Sequence, residues 1–277
     1  MIYETYAPPP LLAPYVRFFW ALEADLSPGE EFVHRSMADG CVEMVFHYRS
    51  AFDEITNNGL IEASPIASIQ AQSSTYRRFV TKNTFGIFGA YLYPFAIPKL
   101  FSLPASDLTN ISPDLASVFG KQGLLLDEQV AAATDNLDRV RLVSHFLVEK
   151  LQTSKREISP VHSAVHTILQ NKGNVRTQDL ADNHNISKRQ FERKFKELAG
   201  MSPKLYSRVM RFQAATHFKL HGRADLAEVA YACGYYDQSH FIHDFREFSG
   251  YTPKEYFWNE AEGTQYIDTE QMSHFSN

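Results

Sequence analysis

A short pattern of phenylalanine, glycine, proline and tyrosine occurs twice in the C-terminal half of this chain. The two copies are Phe191, Phe195, Gly200, Pro203 and Tyr206, and then Phe241, Phe245, Gly250, Pro253 and Tyr256. Every member of the second copy lies 50 positions after its counterpart in the first. A repeat at a fixed offset indicates one supersecondary unit that is used twice.

Each copy predicts two helices with a turn between them, followed by a third helix. Phe191 and Phe195 are four residues apart, so they share one buried helix face. Ser187 can cap that helix at its start, Gly200 suits a left-handed residue at its end, and Pro203 suits the first position of the next helix. The second copy repeats these signals at Asp237, Gly250 and Pro253. Two such units are helix-turn-helix candidates, in which the second helix enters the DNA major groove.

The residues between the two copies predict a connecting helix from Pro203 to Leu220. Its apolar stripe consists of Leu205, Val209, Phe212, Ala215 and Phe218. A helix of this length would extend roughly 27 Å, and half-sites one helical turn apart lie about 34 Å apart on DNA. We therefore expect this helix to hold both second helices over successive major grooves.

Residues 161–258 resemble the DNA-binding domain of the AraC/XylS transcription regulators. The resemblance rests on both phenylalanine modules, on Arg211 in the linker helix, and on the runs Asp225–Ala230 and Cys233–Phe241. It implies an all-α C-terminal domain of two helix-turn-helix units joined by a linker helix. By the same resemblance, double-stranded DNA is the expected partner and transcription regulation the expected function.

The outer face of the first copy's second helix carries the candidate base-reading residues. By resemblance, Arg189, Glu192 and Arg193 fall at the family's base-reading positions; Arg193 suits guanine and Glu192 suits cytosine. The candidates for phosphate contacts are Lys188, Lys194, Lys196 and Arg211. For Arg211 an internal carboxylate is the alternative partner. An ordinary solvated basic face is the alternative for the whole helix, and the duplication favours DNA recognition.

The second copy predicts a weaker reader. Its outer positions are Gln238, Ser239, Ile242 and His243. Gln238 can bond adenine or a phosphate. His243 stands where family members often carry arginine, so the strongest guanine contact is missing there. His240, beside Phe241, is expected to pack rather than to contact a base.

The net charge of −5 is divided unevenly along the chain. Residues 160–258 contain 14 basic and 10 acidic residues, whereas the remainder contains 13 basic and 22 acidic residues. Affinity for phosphate depends on the local field and not on the sum over the chain. The charge distribution is therefore compatible with DNA binding by the C-terminal domain.

Residues 1–152 are expected to form a separate, strand-rich α+β domain that serves sensing or dimerisation. Strands are predicted at Tyr15–Leu22, Val42–Tyr48, Ile66–Gln72, Tyr76–Thr81 and Phe85–Tyr93. A helix is predicted over Asp127–Leu151, and its apolar stripe favours packing inside the domain, with a dimer seam as the alternative. Residues 153–160 are the predicted linker, and residues 259–277 are a predicted acidic tail.

Three segments of this N-terminal region resemble an uncharacterised domain found on some AraC-type regulators. They are Tyr15–Trp20, Asp39–Gly40 and Phe88–Phe95. This resemblance names no ligand.

Metal and catalytic sites are poorly supported by the sequence. His162/His166 and His217/His221 have a spacing that can place two metal ligands on one helix face, but neither pair has a clear third ligand. Cys41 is either a redox sensor or, as we favour, a buried small hydrophobe. Glycine-rich phosphate loops and nucleophile motifs do not occur. We therefore expect no metal, no catalytic residues and no cofactor.

Together these features predict a bacterial, sequence-specific DNA-binding regulator controlled by a ligand or partner through its N-terminal domain. The alternatives are a non-specific architectural DNA-binding protein and an enzyme that acts on the molecule it senses. Candidate partners besides DNA are RNA polymerase, a small-molecule effector and a second copy of the chain. The apolar runs are too short for a membrane span, so we expect a cytoplasmic, nucleoid-associated protein.

Overall fold

The structure is a computed structural model that describes residues 1–56, 58–157, 159–218 and 225–258. The chain divides into two units. The first comprises residues 1–33, 41–71 and 78–158, and the second comprises residues 34–40, 72–77 and 159–277. Two short segments from the N-terminal half of the chain thus belong to the second unit. The predicted acidic tail, 259–277, lies outside the described residues.

Nine strands occur in the described part of the chain and form two sheets. They are β1 Ile2–Tyr6, β2 Val16–Ala24, β3 Phe32–Ser36, β4 Val42–His47, β5 Asp53–Ile55, β6 Ile61–Ala63, β7 Ala67–Gln70, β8 Arg77–Thr81 and β9 Phe85–Leu92. The five-stranded sheet has the order β1-β2-β9-β4-β7, and the four-stranded sheet has the order β3-β8-β5-β6. The strand-rich character predicted for this region is confirmed.

β9 is the centre of the larger sheet. It pairs antiparallel with β2 on one side and with β4 on the other, so that Phe88 lies opposite both Ala21 and Phe46. All its residues are buried, which explains why its sequence is a continuous apolar run without alternation. A core cluster of the first unit contains Leu22, Val45, Phe52, Phe79, Phe85 and Ile87.

The five predicted strands are confirmed as β2, β4, β7, β8 and β9, with ends that differ by no more than two residues. The prediction missed β1, β3, β5 and β6. β5 and β6 have only three residues each, and every residue of β6 is exposed. Strands this short carry too little alternation of apolar and polar residues to be seen in the sequence.

The helices of the first unit are α1 Ala96–Phe101, α2 Leu115–Phe119, α3 Lys121–Ala132 and α4 Asn136–Thr153. The single helix predicted over Asp127–Leu151 is therefore wrong, because α3 and α4 are separate. The Asp135 side chain accepts a hydrogen bond from the Asp138 amide and starts a new helix there. In α4, Val143 and Leu147 are buried as predicted, whereas Leu137 is 68% exposed. The stripe therefore packs within the unit along part of its predicted length.

The helices of the second unit are α5 His162–Gln170, α6 Thr177–Asn183, α7 Lys188–Ala199, α8 Pro203–Thr216, α9 Leu226–Ala232, α10 Gln238–Ser249 and α11 Pro253–Phe257. The linker helix α8 ends at Thr216, earlier than the predicted Leu220, and so extends about 21 Å. The Thr216 hydroxyl donates to the Gln213 carbonyl at 2.8 Å, and the Phe218 amide closes a tight turn onto Ala215. These local bonds compete with continuation of the helix.

Among the described residues, every helix is too short or too polar to cross a lipid bilayer.

His47, at the end of β4, is a buried titratable group of the first unit, with 6% of its surface exposed. Its Nδ1 lies 3.0 Å from the Ile66 carbonyl oxygen, and its ring packs against Phe52. Desolvation by burial lowers the pKa of His47 below its ordinary value, and the hydrogen bond to Ile66 opposes this only in part. Burial in the folded chain therefore favours the neutral imidazole of His47.

We expect His47 to make the folded chain less stable in acid. Because the pKa of His47 is lower in the folded than in the unfolded state, its contribution is complete above pH 6.5 and is lost as the pH falls further. Urea unfolding at pH 7.5 and pH 5 should show a smaller loss of stability for His47→Phe than for the natural chain. The exposed His145, changed to Phe, is the control. An equal loss in all three proteins would contradict the prediction.

Candidate nucleic-acid interface

The first helix-turn-helix consists of α6 and α7 with the turn between them. His184 in that turn is fixed at both ring nitrogens, with Nδ1 2.7 Å from the Leu180 carbonyl oxygen and Nε2 3.2 Å from the Ser163 hydroxyl. Phe191 and Phe195 of α7 are fully buried. The Phe195 ring packs edge-on against Tyr206 of α8, with centroids 5.6 Å apart. Packing against α8 therefore determines which face of α7 is buried.

The opposite face of α7 is open to solvent and basic. Lys188, Arg189, Arg193 and Lys196 are exposed, and Glu192 and Lys194 are half-buried. The whole helix carries five basic and two acidic side chains. The Ser187 hydroxyl accepts from the Gln190 amide at 3.3 Å, which starts the helix at the predicted residue. The predicted base-reading residues of the first copy thus share one side of a single helix.

Arg193 is held in place only loosely. Its Nη1 lies 3.1 Å from Glu197 Oε1 one turn further on, and both side chains are more than half exposed. An exposed pair of this kind contributes about 0.3–0.5 kcal/mol. A better acceptor, such as a guanine edge, can therefore replace Glu197 at little cost.

The second helix-turn-helix consists of α9 and α10. Asp237 accepts a hydrogen bond from the His240 amide at 2.7 Å and caps α10. Phe241 and Phe245 are fully buried, and the Phe245 ring lies edge-on to Phe212 of α8 with centroids 5.1 Å apart. Both helix-turn-helix units therefore pack on the same linker helix.

The outer face of α10 is polar but much less basic. Gln238, Ser239 and His243 are exposed and Ile242 is half-buried. The helix contains one basic and two acidic side chains, against five and two in α7. The ring of His240 lies edge-on to Tyr235, with centroids 5.4 Å apart. The electrostatic attraction for phosphate is therefore concentrated on α7.

The two acidic residues of α10 are bound by Arg208 of α8. Its Nη2 lies 2.7 Å from Asp244 Oδ1 and 2.5 Å from Glu247 Oε2, and its Nε lies 3.2 Å from Asp244 Oδ1. Asp244 is completely buried, and a buried carboxylate needs such a partner. Arg208 thus ties the middle of α10 to α8. Sequence reasoning missed this bond, although Asp244 follows the buried Phe241 by three residues and so had to face inward.

Arg211, a predicted phosphate contact, is half-buried beside the second helix-turn-helix. Its Nη1 donates to the Gly234 carbonyl at 3.3 Å, and its guanidinium carbon lies 5.5 Å from the centroid of the Tyr235 ring. These contacts position the turn before α10. A contact of Arg211 with phosphate stays a prediction.

One group of described residues has ligand atoms close enough for a metal ion, namely His243, Asp244 and Glu247. Arg208 already binds both carboxylates there, and its charge would repel a cation at such short range. Of the two predicted histidine pairs, His162 and His166 lie close together, with ring centroids 6.4 Å apart. In the second pair, His221 lies outside the described residues.

Both cysteines are buried and free of disulfides. Cys41 is 2% exposed, as expected of a small hydrophobe. Desolvation raises the pKa of Cys233 to about 11, which keeps this thiol protonated at neutral pH.

Two helix-turn-helix units on one linker helix, each with a capped and exposed second helix, define a tandem helix-turn-helix domain. Comparison with known proteins agrees. Residues 180–258 match the family described as a helix-turn-helix domain, and residues 4–114 match the family described as a domain of unknown function, DUF6597. The chain thus carries a C-terminal helix-turn-helix domain of the AraC type, preceded in the sequence by a DUF6597 domain.

Curated relatives of the C-terminal region are regulators rather than enzymes. The HTH-type transcriptional activator RhaS of Escherichia coli (strain K12 / DH10B) is 32% identical over 76 residues, which make up 27% of this chain and 27% of RhaS. The chain thus spans about a quarter of the length of the curated relatives it matches.

Solved structures give weaker similarity over more of the chain. ToxT from Vibrio cholerae is 13% identical, with a TM-score of 0.47, over 87% of this chain and 98% of that chain. A regulator with an AraC-type DNA-binding domain from Chromobacterium violaceum is 27% identical, with a TM-score of 0.34, over 37% of this chain and 93% of that chain.

We expect Arg208→Met to destabilise the second unit strongly. It removes the arginine that binds the buried carboxylate of Asp244, at a cost of about 3–5 kcal/mol. Urea unfolding measures the loss. The double variant Arg208→Met with Asp244→Leu should recover most of it, because an apolar pair needs no countercharge. A double variant as unstable as the single one would show that the ion pair is not the cause.

Proposed function

We propose that this protein is a sequence-specific DNA-binding transcription regulator in which α7 and α10 are the two recognition helices. The observation that carries the proposal is the pair of capped, solvent-exposed helices whose buried phenylalanine faces pack on one support, α8. The basic face of α7 is the main reader, through Arg189, Glu192 and Arg193. The more neutral face of α10, with Gln238, Ser239 and His243, is the second reader.

Lysines and arginines around these helices supply affinity without specificity. We assign phosphate contacts to Lys188, Lys194 and Lys196 because they lie on the basic α7 and present single cationic groups. Arg211 remains a further candidate, although its contact with Gly234 limits its reach.

The N-terminal unit is proposed to control DNA binding in response to a ligand or a partner. It forms a compact unit of its own, and residues 4–114 match a different family from residues 180–258; both observations support this division of labour. A small-molecule effector, a second copy of the chain and RNA polymerase are the candidate partners. The protein would act at the nucleoid in the cytoplasm.

A non-specific architectural DNA-binding protein is the second candidate. The weakly basic outer face of α10, a helix with a single basic side chain, disfavours it, since such proteins rely on positive charge along the whole contact surface. Selection of bound sites from random DNA, followed by binding to scrambled versions of the selected site, separates the two functions. Equal affinity for selected and scrambled DNA would favour the architectural protein.

We expect Arg193→Ala to weaken binding to the selected site by about 1–3 kcal/mol and to relax the base preference at one position. The matched control is Arg141→Ala in α4, because Arg141 is also an exposed arginine paired with a carboxylate within its own helix. The control should bind as the natural chain does. An equal loss on random DNA would contradict base reading by Arg193.

Lys196→Ala should act differently. Removing one phosphate contact should weaken binding to every DNA sequence alike. It should also reduce the slope of the logarithm of affinity against the logarithm of salt concentration by about 1. Affinities measured across a series of salt concentrations test this. A loss that appears only on the selected site would mean that Lys196 reads a base.

A further inference from the structure

The second unit contains a short segment, residues 35–40, whose backbone joins α8 to α10. The Gln213 amide of α8 donates to the Ala38 carbonyl oxygen at 2.7 Å. The Ala38 amide in turn donates to the Phe248 carbonyl oxygen of α10 at 3.0 Å. Ala38 is completely buried, and Gln213 is 7% exposed. One residue of this segment therefore supplies a buried hydrogen bond to each helix.

The hydrogen bond to Phe248 satisfies a carbonyl at the C-terminal end of α10. Carbonyls in the last turn of a helix have no partner within the helix, and Phe248 lies in that turn. A buried carbonyl left without a partner costs about 1–3 kcal/mol. Ala38 thus satisfies a group that α10 cannot satisfy by itself.

Arg35 adds a second contact at the same helix end. Its Nη1 lies 3.4 Å from the Ser249 carbonyl oxygen. Its guanidinium carbon lies 3.8 Å from the centroid of the Tyr251 ring and 5.0 Å from that of Tyr76. A cation at a helix C-terminus also complements the helix dipole. Arg35 therefore holds the end of α10 by charge, hydrogen bonding and stacking.

Gly40 ends the segment in close contact with α8. Its φ is +73°, and an added Cβ would lie 2.8 Å from Met210 Cε and from Tyr206 Cε2. Tyr206 is fully buried and its ring is not free to move aside. The segment can therefore approach α8 only because residue 40 is glycine.

We propose that residues 35–40, the bridge segment, are a positioning element for DNA recognition by α10. The bridge segment fixes the C-terminal end of α10 against α8, while Arg208 fixes its middle. With both points held, the outer face of α10 keeps one orientation relative to α8. The residues act through α10 and do not themselves contact DNA. This inference rests on the proposed function.

The test uses the full chain and three DNAs: the selected site, the same site with the α7 half scrambled, and the same site with the α10 half scrambled. Gln213→Met keeps the length of the side chain and removes the hydrogen bond to Ala38. We expect about a tenfold loss of affinity for the intact site, equivalent to one buried bond. Scrambling the α10 half should then cost less than it does in the natural chain, whereas scrambling the α7 half should cost the same.

Two further variants separate positioning from general destabilisation. Gly40→Ala displaces the bridge segment without changing α8, and should reproduce the selective loss at the α10 half. Gly59→Ala is its control, because Gly59 has a similar φ of +81° but nothing within 4 Å of an added Cβ. Amide hydrogen exchange should also quicken in the last turn of α10 in Gln213→Met and stay unchanged in α7.

The outcomes are distinguishable. Variants that bind all three DNAs as the natural chain does, or that lose affinity equally for both halves, would overturn the positioning role. A gain in affinity would also overturn it, since the bridge segment would then restrain α10 rather than position it. If the natural chain binds intact and scrambled sites equally, the proposed sequence-specific function is wrong, whatever the bridge-segment variants show.

Discussion

The packing of two phenylalanine pairs onto one helix is the constraint on which the second unit depends. Phe195 meets Tyr206 of α8, and Phe245 meets Phe212 of the same helix. Once these rings point inward, the period of 3.6 residues turns the intervening positions outward. The exposure of Arg189 and Arg193 follows from the burial of Phe191 and Phe195. The interface proposed for DNA is thus the reverse side of the hydrophobic core.

The two helix-turn-helix units are alike in packing and different in charge. α7 carries an excess of basic residues, whereas the acidic residues of α10 form ion pairs with Arg208 of α8. A duplicated core therefore supports two outer faces that differ in charge. In the proposed function, α10 attracts DNA less strongly than α7 does, because its face offers few positive charges.

Much of the helical architecture could be predicted from local signals. Ser187 and Asp237 cap helices where the sequence places them, and Gly200 and Gly250 end helices with left-handed backbones. Signals of this kind act within four or five residues, so they can be recognised in the sequence without knowledge of the tertiary structure. The prediction was wrong where the local signal was weak. The break at Asp135 lies between two stretches of similar composition, and β5 and β6 are too short to show a period.

The sequence by itself determined the duplicated helix-turn-helix, its inward phenylalanines and its outward basic face, because these depend on spacing along one helix. Only the tertiary structure decided how α10 is held. The partners of Asp244 and Phe248 are Arg208 and Ala38, which lie 36 and 210 positions away in the chain. No periodic pattern encodes such a pair, since a buried carboxylate or carbonyl requires a partner but does not specify where along the chain it lies.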